Sequence, residues 1–137
     1  MSNLMDGGVK EDTINLAGYL APDMRQSMVM LMEGELDMVI DMIETIISSG
    51  PRYMKLLEEG VNQANRSDIA EAVFALKSNY CQVGAILFSN LCEAMATASQ
   101  QMYPQAIQRI HQQIQEEYEL VSKSLHSWKD TLLLENY

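Results

Sequence analysis

The sequence predicts an all-α fold, an antiparallel up-down four-helix bundle with an additional N-terminal helix, and three observations predict it. Apolar residues recur at three- and four-residue steps in successive segments of the chain. Sustained alternation between turn dipeptides is missing, and two phenylalanines and one tryptophan leave little to furnish a sheet. The connections between the periodic segments are short, which suits antiparallel neighbours. The 137 residues, 47% apolar and 20% charged, fit one domain of ordinary size over 1–137, with 1–10 as a flexible lead.

Upstream, "EDTINLAGYLAPDMRQSMVMLM" reads as one or two helices broken near Pro22. In the next segment Leu36, Val39, Ile40, Ile43, Ile46 and Ile47 mark one helical face, with Asp37, Asp41 and Glu44 on the other. Gly50 and Pro51 in "SSGPR" predict its end, and "RYMKLLEEGVNQA" forms a further helical piece with Tyr53, Leu56, Leu57 and Val61 on one face. Ser67 then offers an N-cap, with Asp68 in the first turn where its charge complements the helix dipole. From there Ile69, Ala72, Val73, Leu76 and Tyr80 form an inward stripe, while Ala70, Phe74, Lys77 and Cys81 form a second stripe about 100° round. Gly84 permits a turn or a close approach. "AILFSNLCEAMATA" resumes a helix through Leu87, Leu91, Ala94 and Met95. Pro104 suits the first turn of the last helix, whose Ile107, Ile110, Ile114, Tyr118, Val121 and Leu125 keep one face as far as about Trp128, leaving "TLLLENY" to fray or dock.

Nineteen acidic against nine basic residues, a formal charge of -10, argue against binding nucleic acid or an anionic membrane surface. Residues 33 to 44 hold five acids and no base, the pattern of a solvated helix face, whereas residues 69 to 92 hold only Glu71 and Lys77. No run approaches the roughly 20 apolar residues that cross a bilayer, and the opening residues lack the basic and apolar regions of a signal peptide. Cys81 and Cys92 would lie about 16 Å apart on a single helix, too far to pair, which fits a reducing compartment and a cytoplasmic protein. Eleven methionines, with Met24, Met28, Met30, Met32, Met38 and Met42 crowded together, serve either as flexible core filling or as a pliable binding surface or homodimer interface.

Phosphate-cradling, dinucleotide-binding, serine-nucleophile and zinc-protease motifs are all missing, and nothing implies a cofactor. His111 and His126, fifteen residues apart with no cysteine at ligand spacing, do not make a metal site.

One stretch carries more. "FALKSNYCQVGAILFSNLCEAM", from Phe74 to Met95, resembles the signature of histidine-containing phosphotransfer domains, approximately H-x-L-K-G-S-[SA]-x-x-[LIV]-G-A followed by small and leucine positions and C-x-x-L. Leu76, Lys77, Val83, Gly84, Ala85, Leu91, Cys92 and Met95 fall on corresponding positions. The resemblance runs loosely from residue 23 to 128: "GELDMVIDMIETII" is similar to the family's second helix and "LLEEGVNQANRSDIAEAVFALKS" to its approach to the site. It implies a four-helix bundle with an N-terminal helix across it, in a family that exchanges phosphoryl groups with receiver aspartates. Here the phosphoacceptor position is Phe74, which has no nucleophilic nitrogen, and Ser78, Asn79 and Tyr80 replace the glycine and small residues that follow the lysine.

What the resemblance then implies is a non-enzymatic signalling module that binds a response-regulator receiver domain or a histidine kinase. Its partner-binding residues would be Ala70, Phe74, Lys77, Ser78, Cys81 and Gly84, with Lys77 pairing a partner carboxylate and Phe74 contributing apolar burial. Phosphotransfer through His111 or His126, and a plain helical interaction or dimerisation module, are the alternatives.

Overall fold

The structure, a computed structural model, describes residues 36–101 and 103–136. The expected N-terminal helical pieces, the lead expected over 1–10 and Met24 to Met32 lie outside the described residues. Within them the chain is all helical: α1 (Leu36–Asn62), α2 (Arg66–Tyr80), a 3-10 turn (Cys81–Val83), α3 (Ile86–Gln101) and α4 (Pro104–Asn136). Each helix packs on two others, α1 on α2 and α4, and α3 on α2 and α4.

Gly50 and Pro51 do not end the first helix as expected; α1 runs straight through them. Proline at 51 removes the hydrogen bond its N–H would have given to Ile47, a cost of about 3 kcal/mol or more in a helix interior. Packing on both sides offsets that cost. Val39, Ile43, Ile46, Gly50, Leu57 and Val61 are all buried and follow one another at helical steps, so Gly50 belongs to the inward stripe. It is there because two tyrosines need the space: a methyl group at Gly50 would lie 2.6 Å from both the Tyr80 and the Tyr118 hydroxyl.

The cap of α2 is Asn65 and not Ser67, its Oδ1 accepting from the Asp68 N–H at 3.1 Å. All five residues of the expected inward stripe of α2, Ile69, Ala72, Val73, Leu76 and Tyr80, are buried. A three-residue connection, and an Asn79 amide donating to the Ser49 hydroxyl at 3.2 Å, set α1 and α2 antiparallel.

In α3 the inward face is rotated from the expected one. Leu87 and Ala94 are exposed, while Phe88, Ser89, Cys92, Met95, Ala98 and Ser99 are buried. The left-handed backbone at Gly84, φ 75°, sets where that helix starts and hence its phase, and periodicity alone does not reveal it. Helix α4 buries Ile107, Ile114, Val121, Leu125, Trp128 and Leu132, so the C-terminal segment continues the helix and docks through Leu132, while Leu134 stays exposed. The centre of the core is aromatic: the Phe88 ring lies 4.9 Å from Tyr80 and 6.2 Å from Tyr118.

Candidate functional site

Helix α2 displays what it does not bury. Ala70, Phe74, Lys77, Ser78 and Cys81 are all exposed, and Phe74 is 75% exposed although its neighbour Val73 is only 4% exposed. The helical period explains the division, since residues 70, 74, 77, 78 and 81 share one side of the helix and residues 69, 72, 73, 76 and 80 the other. An exposed aromatic ring at the centre of a strip whose other members, apart from Lys77, are small and uncharged is a ready apolar contact. A phenyl ring has no lone pair with which to take up a phosphoryl group, so the strip has no nucleophile at its centre.

Gly84, expected among the partner-binding residues, is corrected by its position. It is buried, its N–H donates to the Cys81 carbonyl at 3.1 Å, and its positive φ turns the chain from α2 into α3. It shapes the end of the strip without belonging to the surface. Cys81 is exposed at that end, its thiol donating to the Ser78 carbonyl at 3.4 Å, whereas Cys92 is buried. Cys81 opens the 3-10 turn and Cys92 lies on α3, so the two cysteines are not on one helix. Burial pushes the Cys92 thiol up to about 12.

Lys77 is exposed but not free. Its ammonium donates to the Glu93 carboxylate on α3, and the pair holds the lysine above and the glutamate below their ordinary ranges, hydrogen bonding first and charge attraction second. Sequence reasoning missed Glu93 because the charge gap at 69–92 stops one residue before it. The available signal was symmetry: Lys77 and Glu93 lie seven and nine residues from Gly84, so a helical hairpin turning there brings them level.

The two histidines part company. His111 is buried, its Nε2 has no hydrogen-bond partner among the described residues, and burial lowers its pKa, against a smaller upward pull from Glu58. His126 is exposed, in a shallow groove with Tyr118, Glu119, Ser122, Lys123 and Ser127. Among the described residues no group of three or more histidine, cysteine, aspartate or glutamate side chains could hold a metal ion, and no helix is long and apolar enough to cross a membrane. Met38 is exposed and Met42 half-buried, one methionine on each side of the choice between surface and core.

Compared with models of known protein families, with curated proteins and with solved structures, the chain matches none.

Proposed function

We propose that this chain is a phosphotransfer-like signalling module, built as an antiparallel up-down bundle, that has lost its acceptor histidine and works by docking onto a receiver domain or a histidine kinase. The observation that carries the reading is Phe74. It stands 75% exposed at the centre of the α2 strip, in the register where the resembled signature has its phosphohistidine. A helix that buries Val73 and exposes the larger Phe74 gives up apolar burial that a swap of the two would gain, so packing does not account for the ring. A partner that covers the ring recovers about 1.5–3 kcal/mol. An exposed ion pair would add about 0–1 kcal/mol. Apolar contact therefore dominates the docking.

The test is a binding titration of the full chain against purified receiver domains and kinase dimerisation domains. Phe74→Ala should weaken binding at least tenfold while leaving the melting temperature unchanged. A fall in melting temperature with unchanged affinity would make Phe74 a packing residue and the chain a plain helical module. Incubation with a phosphorylated receiver should leave the chain unlabelled. The competing reading, phosphotransfer through another histidine, is favoured at one place only, because His126 is exposed and His111 is not. Acid-labile, base-stable label lost in His126→Ala would establish it.

A further inference from the structure

Glu71 and Lys77 stand three residues before and after Phe74, which places them about 60° to either side of it on the helix. One flank faces α3 and the other faces α1. On the α3 flank the cation is already matched, since Lys77 is held by Glu93. A partner carboxylate approaching there meets Glu93, whose charge Lys77 stabilises, and must displace one exposed ion pair to make another of the same kind. Nothing is gained by that exchange.

The α1 flank differs. Between α1 and α2 runs an open groove of about 360 Å³, lined by Arg52, Tyr53, Lys55, Leu56, Glu59 and Glu71. The Arg52 guanidinium lies 4.6 Å over the Tyr53 ring and donates to its hydroxyl at 2.6 Å, so the cation is held in place while its outer edge stays exposed. Neither Arg52 nor Lys55 forms an ion pair with another described residue. The antiparallel register fixes where they stand. Counting equally along both helices from the Ser49 and Asn79 contact puts Arg52 level with Leu76, Lys55 level with Val73 and Glu59 level with Ile69. The cationic half of the groove is therefore beside Phe74, and the acidic half, Glu59 with Glu71, lies toward the α1–α2 connection.

Building on the docking reading, we infer that Arg52 and Lys55, and not Lys77, receive the carboxylates of the partner. The surface takes an acidic protein face with an apolar centre over Phe74 and its carboxylates on the α1 side. A chain of charge -10 repels such a partner at long range, so productive encounter must lead with cations that are not already held in an ion pair. A stacked guanidinium also loses little freedom on forming its paired hydrogen bonds to a carboxylate. The lysine that the signature shares is silenced by Glu93, and the electrostatic half of recognition moves to the neighbouring helix.

The test has two arms on the isotope-labelled full chain, read from arginine and lysine side-chain NMR signals. In the first, poly-L-glutamate is titrated at low salt. Arg52 and Lys55 should shift and Lys77 should not, and Glu93→Gln should make Lys77 respond. A Lys77 shift as large as that of Arg52 in the unaltered chain, or silent Arg52 and Lys55 signals, overturns the inference whether or not any receiver binds. In the second arm a receiver domain replaces the polymer. The double variant Arg52→Gln, Lys55→Gln should lose about tenfold in affinity and flatten its salt dependence, with Lys77→Ala changing it less than threefold. Binding that survives the double variant with the same salt dependence overturns the inference and leaves the docking reading standing. Failure of every receiver to bind removes the docking reading, while the first arm still decides the role of the two cations.

Discussion

The chain has two phenylalanines, and they do opposite things. Phe88 is fully buried, tilted against Tyr80 and within reach of Tyr118; Phe74, one helix earlier, is 75% exposed. Composition and propensity are identical for the two, so the difference is entirely one of helical phase. Phe88 falls on the buried line of α3, four residues before Cys92 and seven before Met95, whereas Phe74 falls just off the buried line of α2, beside Val73. An apolar side chain contributes to stability only where its helix turns it toward neighbours; elsewhere it is available to another molecule.

The largest effect expected from this contrast is in stability. Phe88→Ala should cost about 3–5 kcal/mol, as removal of a buried ring from a close-packed core does. In chemical denaturation Phe74→Ala should remain within about 0.5 kcal/mol of the parent, as for other exposed positions. Equal losses in the two variants would break the contrast. Gly50→Ala probes the same aromatic centre from α1, since its methyl group would lie 2.6 Å from both tyrosine hydroxyls. A cost of about 1–3 kcal/mol is expected for such overpacking. Most of it should disappear in a Tyr80→Phe, Tyr118→Phe background.

The smallest effect is a dependence on pH that belongs to the core alone. Burial lowers the pKa of His111 from its ordinary value of 6.5, so the unfolded chain takes up this proton more readily than the folded one. The contribution of His111 is thus fully present above 6.5 and lost as pH falls below it. A melting-temperature profile from pH 8 to pH 5 should bend downward in that window, and His111→Gln should remove the bend. Loss of the same proton dependence in His126→Gln instead would reassign it to the surface.

How far the sequence could be read differs between fold and site. The inward stripe of α2 was legible in full because five residues recur without interruption, and α4 was legible from Ile107 to Leu125 for the same reason. Gly50 and Pro51 look like a helix end because local punctuation signals one, but the apolar line that continues through them to Leu57 and Val61 carries the helix on. The phase of α3 is not legible in the sequence because a left-handed glycine and a 3-10 turn separate it from α2, and periodicity carries no phase across such a joint. At the candidate site, the exposure of Phe74 follows from spacing along one helix. The partners that matter around it, Glu93 and the Arg52–Tyr53 stack, sit on other helices, where only packing brings them close.

Trp128 is the only tryptophan of the chain, and it is fully buried on α4, which packs on α1 and α3. An indole sealed from water emits at short wavelength and shifts to the red when the core opens, while the face that carries Phe74 lies on a helix outside that principal packing. The protein thus has a built-in optical reporter of unfolding, set on a different helix from the exposed ring of Phe74. In a binding titration, the emission of that one indole therefore reports in the same cuvette whether the core has stayed closed.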